Sequence, residues 1–536
     1  MGSFSKKRIA WLIIIEVLVT LLCLNYAAKN PDIFSEHLKT ACYLALCAAL
    51  LLLAGVGYVL VVVKKTPLHR LMIFFGLSFG VLSCLIHTPG AIPDEPAHAS
   101  NIYLWSNRLL LLPEKEAEKQ DNPVYRDVES SMRRADLESE QWLLRRDTTT
   151  ESYRNILKHT NWFYSADERE LVSATLRDNS VTPIMYLPAI IGFTVARLLS
   201  LGFYPMLMIG RLCMLAFYVF AASWSIKKIP VGKMALFLTA LLPMSLHLAA
   251  SLSYDAVILA LSMMTFSYIV YLAYGAVETI RWKERLTMLV LAMLLAPCKV
   301  GVYLPIVLLL LMVPKAKFGG GKQKAWFFLF VLLASGANCV LMNLPAISLG
   351  THSVRILNDQ GETLITSGWA LCHPVDALKM MLHTVKGELM LWVKGAIGNL
   401  LSWFSIQIRN WIIAGFALCL VSVVFHEEGT EPITPAPRQR LLFLVPVVLC
   451  GFMYLAGMLV WWTPQGAKMI EGIQGRYFIP MIPLVLFFIP QISIDLHLKR
   501  GVVRVPRPGF SRYVALACIL LSCASILVQA VVILAR

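Results

Sequence analysis

Residues 71–98 read LMIFFGLSFGVLSCLIHTPGAIPDEPAH, and this stretch decides how the chain is organised. Its first part, 71–86, is an apolar run long enough for a membrane helix. Its last part, Ile92-Pro93-Asp94-Glu95-Pro96-Ala97-His98, puts two carboxylates and an imidazole where the chain leaves the bilayer. Pro93 and Pro96 suit a turn followed by a first helical turn, because a proline there lacks only a donor that would be unpaired anyway. In a helix that starts at Asp94, Asp94 and Glu95 lie four and three residues before His98, so all three can face one spot. Two readings compete on spacing alone. One carboxylate caps the helix and favours its positive end, or the group is catalytic or metal-binding and needs partners elsewhere in the chain.

The same apolar patterning recurs outward from this stretch. Of 536 residues, 58% are hydrophobic and 15% charged, whereas soluble domains average about 45–50% and about 25%. Mean hydropathy is +0.67. Repeated apolar runs of about 20 residues predict an all-α polytopic membrane protein, a bundle of about 13 spans. Lys6-Lys7-Arg8 leads into an apolar run without a convincing small-residue cleavage site, which reads as a retained first helix. The net charge of +16 fits Lys and Arg gathered in cytoplasmic loops, and no nucleic-acid partner is expected. The twelve cysteines lie mostly inside apolar runs, with neither a disulfide framework nor metal-finger spacing.

Basic clusters set the expected sidedness. Lys6 to Arg8 and Lys64 to Arg70 place the N-terminus in the cytoplasm and Asp94 outside, after three crossings. Residues 87–181 hold 17 acidic and 12 basic side chains, as suits an extracytoplasmic loop. Amphipathic pieces at 101–112 and 136–146 predict small helices lying on the membrane surface. One crossing is needed before Lys227, Lys228 and Lys233, yet two apolar runs follow the loop. The shorter, 183–199, opens with two prolines and is expected to be re-entrant or a surface helix. Single spans are expected at 234–254, 286–297, 300–313, 411–425 and 477–494, with 426–440 a cytoplasmic loop. The chain thus divides into three helices at 1–86, a loop region at 87–200, a transmembrane core at 201–347, a second loop with an amphipathic helix at 348–408, and C-terminal helices at 409–536.

Three further polar positions return to the same face. Asp255 lies about 33 Å along a helix from Lys233, roughly one membrane thickness. Lys299 lies only about 21 Å from Arg285, short of a hydrocarbon core of about 30 Å. An ammonium at that depth costs about 2.5–3.5 kcal/mol unless it meets water or an anion, and Pro297 beside it can break the helix where backbone lines a cavity. The rival reading is snorkelling to the surface. Arg476 again lies about one thickness from the next cytoplasmic charge; its planar fork suits a phosphate, or it is an interfacial anchor beside Tyr477. His87, His352, His373 and His383 share this side and read as structural. Carboxylates and an imidazole beside two cations suit attack on a group whose leaving part is a phosphate.

Five segments now carry a resemblance: Pro93 to His98; Thr182-Pro183-Ile184-Met185-Tyr186-Leu187-Pro188; Ser251 to Asp255; Lys299 in its broken helix pair; and Gln474-Gly475-Arg476-Tyr477-Phe478-Ile479-Pro480. The chain resembles the bacterial membrane-protein family of domain of unknown function 2142. Thr182 stands where that family's pattern is expected to have proline, as does Tyr254. The family in turn looks like the GT-C class of integral-membrane glycosyltransferases. The resemblance implies a bacterial cytoplasmic-membrane protein that moves a hexosyl or pentosyl unit from a polyprenyl-phosphate donor to a cell-envelope glycan acceptor on the extracytoplasmic face. It implies Asp94 as catalytic carboxylate, with Glu95 assisting or contacting the acceptor and His98 orienting one of them. Lys299, Arg476 and Tyr477 are assigned to the lipid phosphate, and Asp255, Tyr186 and Gln474 to other substrate contacts. A divalent metal is left open. The rival functions are a transporter or flippase of lipid-linked sugars, and a glycan polymerase or ligase.

Overall fold

The structure is a computed structural model, and it describes residues 6–117, 126–146, 148–178, 181–352, 362–425, 435–492, 494–498, 501–506 and 509–536. Most of the expected loop at 426–440, and residues 353–361 of the second loop region, lie outside the described residues. The His352 side chain does too.

Among the described residues, eight helices are long and apolar enough to cross a membrane: Lys6–Lys29, His37–Val63, Leu68–Ile86, Phe203–Lys228, Asp255–Tyr274, Gly321–Leu344, Pro437–Trp461 and Phe510–Leu534. At about 1.5 Å per residue even the shortest approaches the thickness of a bilayer core. Asp255–Tyr274 is the central one, 89% buried along its apolar window, while Lys6–Lys29 at 22% and Gly321–Leu344 at 11% lie at the periphery. The chain is therefore a multi-pass membrane protein.

The remaining expected spans are broken, and the breaks build the site. The run at 234–254 is two short helices, Lys233–Ala240 and Pro243–Ala249. Pro243 holds Leu242 in an extended conformation and opens a new helix. The runs at 286–297 and 300–313 form one hairpin: helix Trp282–Leu295, a tight turn Cys298–Gly301, and a 3₁₀ segment Leu304–Met312. The Ile280 N–H donates to Lys317 O (2.7 Å), so the feet of the hairpin meet and Lys299 sits at its tip. The run at 477–494 is a 3₁₀ segment Gly475–Met481 followed by helix Ile482–Phe488, and 411–425 is the short helix Asn410–Ser422. Among the described residues, eight long helices and these broken segments thus fill the places of the expected spans.

The feet and the tips of these elements lie on opposite faces. Ser223 Oγ donates to His69 O (2.9 Å), and Lys317 Nζ donates to the Leu272, Ala273 and Gly275 carbonyls at 2.9, 3.2 and 3.1 Å. Lys228 lies 3.6 Å over the Tyr271 ring, and Tyr274 OH meets Gln439 at 3.3 Å. The basic ends thus converge on one face, and Asp94, Asp255 and Arg476 lie at the other ends of their elements.

The loop region after Asp94 is not a set of surface helices alone. It contains an antiparallel sheet in the order β1 (Glu114–Glu116), β2 (Arg126–Arg133), β3 (Leu171–Asp178), flanked by helices Glu95–Leu109, Arg134–Leu143 and Thr150–His159. Asn107 Nδ2 donates to Ser130 Oγ (3.0 Å) and Ser131 O (2.8 Å), which fixes the sheet on the first helix. Arg133 and Asp136 form a buried pair at 2.6 Å that also takes the Tyr103 hydroxyl. The apolar run at 183–199 falls short of a full span. It forms Pro183–Tyr186 and Leu187–Leu198 beside Glu95–Leu109, tied by Thr194 and Arg197 to Ser106 Oγ at 3.0 Å each. Its far end returns to the loop, where the Tyr164 N–H donates to Ser200 O (2.8 Å).

The second loop region supplies helix Pro374–Ile397, on which the Gly475 turn is laid. A Cβ on Gly475 would stand 2.3 Å from Trp392 O and 2.5 Å from Ala396 N. Gly475→Ala is expected to lower the thermal midpoint in detergent, since overpacking of backbone on backbone costs about 1–3 kcal/mol. Gly451→Ala, where a Cβ meets nothing within 4 Å, is expected to leave it unchanged or slightly raised. Equal midpoints for the two variants would refute the close approach.

Candidate active site

Asp94 sits on the turn between Leu68–Ile86 and Glu95–Leu109 with a left-handed backbone, φ 64°, a conformation that Asp tolerates better than most residues. It occupies the helix N-cap, yet its side chain makes no capping hydrogen bond. It faces Arg476 instead, whose Nη2 lies 3.3 Å from Asp94 Oδ2. Arg476 Nε lies 3.4 Å from Asp255 Oδ2, and the other Asp255 oxygen is 2.7 Å from Lys299 Nζ. Four charges from four distant segments thus form a chain, Asp94–Arg476–Asp255–Lys299. Asp94 is its open end: its side chain is 55% exposed, against 7% for Arg476 and 10% for Asp255.

Lys299 is held there by an unusual backbone. Lys299 and Val300 have φ of 46° and 53°, which costs about 1–3 kcal/mol per residue and persists only where the surroundings impose it. Asn343 Nδ2 donates to Pro297 O (3.1 Å) and braces the break. The ammonium faces the rings of Tyr477 at 3.9 Å, Tyr254 at 5.2 Å and Tyr454 at 5.6 Å. Tyr303 OH joins Tyr454 OH (2.7 Å) and the Tyr477 backbone carbonyl (2.9 Å), and the Tyr454 and Tyr477 rings stack at 5.0 Å. A carboxylate on one side and ring faces on the others replace the lysine's hydration.

Glu95 does not share the spot with Asp94. Its side chain is fully buried, and Arg211 donates Nε to Oε1 (2.8 Å) and Nη2 to Oε2 (2.6 Å). The N–H groups of Gly90 (2.9 Å) and Leu252 (3.1 Å) complete its shell. Arg211 also donates to His87 O (2.5 Å) and Thr88 O (2.9 Å). The expected contact of Glu95 with an acceptor is therefore corrected: with both oxygens spent inside the protein, Glu95 fixes the shape of the 87–94 turn. Arg211 was missed, although an arginine nine residues into an otherwise apolar span is the kind of charge that marks a site.

His98 is corrected likewise. Its Nδ1 meets Tyr186 OH at 2.6 Å, and no bond runs from it to Asp94 or Glu95. Its ring packs edge-on against Tyr254 at 4.9 Å. Tyr186 thus joins the site as a partner of His98. Gln474 is half-buried and makes no side-chain hydrogen bond among the described residues, and Asp255 is the middle of the charge chain rather than its edge. A hairpin from the second loop region staples the turn from above. Ser402 Oγ donates to Ala91 O (2.8 Å), Trp403 Nε1 donates to Gly90 O (3.0 Å), and Ser402 N–H donates to His247 Nε2 (3.1 Å). His87, also expected to be structural, bonds Gln529 at 2.9 Å, while His373 and His383 are exposed.

Two cations balance two carboxylates here, and the donors are not used up. The Arg476 Nε–Asp255 contact is an ion pair without hydrogen-bond alignment, so a buried Nε–H donates to no acceptor. Lys299 carries three donors and spends one on Asp255. An anion entering beside Asp94 therefore meets free donor capacity. The Asp-Glu-x-x-His spacing builds no metal site: Glu95 is taken by Arg211 and His98 by Tyr186, and the described residues hold no group of three or more potential ligands.

Two outcomes follow. Arg211→Met leaves Glu95 buried and unpaired, at about 3–5 kcal/mol; adding Glu95→Leu to it is expected to recover part of the lost thermal midpoint. Additive losses would show that the pair is not a unit. Burial pushes the His98 imidazole down to about 4, against the pull of Asp94 and Asp255. A depressed value means that the unfolded chain takes the proton first, so this contribution to stability is full above about 6.5 and is lost as pH falls towards 4. His98→Gln is expected to flatten that acid-side slope in thermal unfolding; an unchanged slope would mean that His98 titrates normally.

No curated protein and no solved structure matches the chain. The family of predicted membrane proteins DUF2142 matches residues 75–485 of the 536, a span that takes in every member of the charge chain. Having the whole site within that match, the chain belongs to the DUF2142 membrane-protein family.

Proposed function

We propose that this protein is a GT-C-type glycosyltransferase that uses a polyprenyl-phosphate sugar and acts at the face carrying Asp94. The observation that carries the reading is the chain Asp94–Arg476–Asp255–Lys299: an exposed carboxylate beside a buried guanidinium, with a half-buried ammonium linked to it through Asp255. Asp94 takes the proton from an acceptor hydroxyl. The oxygen bonds to the anomeric carbon, the bond from that carbon to the phosphate oxygen breaks, and its electron pair leaves with the polyprenyl phosphate. Arg476 and Lys299 stabilise the charge that grows on that phosphate. Tyr477, lying against both cations, lines the same place, and the acceptor is a cell-envelope glycan.

The convergence of basic ends on the opposite face supports a cytoplasmic placement of that face, because Lys and Arg collect there. The membrane is then a bacterial cytoplasmic membrane with the site outside. In a chain stripped of its own cysteines, Arg145→Cys is expected to react with a membrane-impermeant maleimide in intact cells, and Lys322→Cys only after lysis. The reverse pattern would remove the proposed orientation.

A positioned base contributes about 10²–10⁴-fold. Asp94→Asn is therefore expected to lose that much transfer from a polyprenyl-phosphate sugar while still binding the donor, and Lys299→Met is expected to weaken donor binding as well. Transfer by Asp94→Asn at the unmodified rate would exclude Asp94 as base. Lipid movement in proteoliposomes without product would favour a flippase, and release of a lipid pyrophosphate would favour a polymerase or ligase.

A further inference from the structure

A second feature lies away from the charge chain and stands without the reading above. A groove of about 350 Å³ runs between helices His37–Val63, Leu68–Ile86 and Phe510–Leu534. Its walls are apolar, among them Leu46, Leu85, Ile86 and Ile533. Such a volume lies within the range of small-ligand sites, about 300–1,000 Å³.

Two polar groups break the apolar lining. Lys39 is only 8% exposed and makes no hydrogen bond or ion pair among the described residues. Glu36, the carboxylate whose charge it feels, is bound by Arg154, which also holds Glu151 at 3.3 Å. Thr150, at 7% exposed, lines the same groove, and its Oγ1 is buried without a partner. A cation and a hydroxyl in one apolar crevice call for an acceptor that brings its own hydrocarbon; for the hydroxyl, buried without a partner, the cost of staying unpaired is about 1–3 kcal/mol.

We infer that this groove holds one anionic phospholipid of the bilayer, its acyl chain along Leu46, Leu85 and Ile533 and its phosphodiester on Lys39 and Thr150. The groove lies among spanning helices, so its occupant is drawn from the membrane. Charge selects an anionic head over a zwitterionic one. The Tyr153 hydroxyl donates to the Leu85 and Ile86 carbonyls beside the groove. The lipid would thus rest against the end of the helix that leads into the Asp94 turn.

The test uses the full chain in nanodiscs and diazirine-bearing phosphatidylglycerol or phosphatidylcholine, photolysed and mapped by peptide mass spectrometry. Label from phosphatidylglycerol is expected on the groove peptides in excess over phosphatidylcholine. Lys39→Gln is expected to cut that label about fivefold, the weight of one lysine against an anionic surface, while label near Lys315 and Lys322 stays constant as an internal reference. Lys39→Arg is expected to keep it, which separates charge from misfolding. Equal groove labelling by the two lipids, or unchanged labelling in Lys39→Gln, would overturn the inference.

Discussion

An ammonium on a hairpin about 21 Å from the basic face has to be neutralised inside the protein, and much of this structure answers that constraint. Lys299 finds one carboxylate, Asp255, at 2.7 Å and three tyrosine rings. Asp255 in turn meets Arg476, and Arg476 meets Asp94. Each link places a formal charge where the previous one needs its opposite, so the four positions are set together. The last link is by far the most exposed to water, which makes Asp94 the member best placed to exchange partners.

The turn that carries Asp94 is fixed by a different pair. Glu95 and Arg211 are both fully buried and engage in two hydrogen bonds. Arg211 also holds His87 O and Thr88 O, and Glu95 holds Gly90 and Leu252. One ion pair thus binds the end of one spanning helix, the start of the next helix and the entry to Asp255–Tyr274. Neighbouring acids in the motif have opposite roles because the left-handed residue at Asp94 turns its side chain away from that of Glu95. The 402–403 hairpin then closes over Gly90 and Ala91.

The long spans were legible, because apolar length reports on the bilayer directly, and so was the gathering of basic ends away from Asp94. Depth along a helix also singled out Lys299, whose break at Pro297 is present. Residue-level pairing was not legible. Helical spacing put Glu95 and His98 beside Asp94, but spacing assumes that the helix has begun, and Asp94 lies before it with φ 64°. The segment Arg126–Arg133 mixes charges and hydroxyls on both faces, so it carries no period that would declare a strand. Arg211 offered a signal that went unused. Tyr303 and Tyr454 offered none, since an aromatic residue in an apolar run reads as core.

Internal carboxylates on both cations bear on how the site can work. A phosphate that binds Lys299 and Arg476 competes with Asp255, which already screens them, so simple attraction of a lipid-borne anion is weakened in the resting state. If the chain carries out the proposed transfer, that screening has a catalytic consequence. A ground-state donor bearing one negative charge on its phosphate gains little over Asp255, whereas a departing phosphate with a second charge gains more from the same donors. The unspent Arg476 Nε–H, buried and without an acceptor, is oriented in advance for that added charge. The left-handed backbone at Lys299 and Val300 keeps the ammonium from relaxing away from it. Fixed dipoles and charges that need no rearrangement as charge develops are the economical way to favour a transition state over a bound substrate, and Asp255 and the Asn343 brace hold Lys299 there against the strain of its backbone.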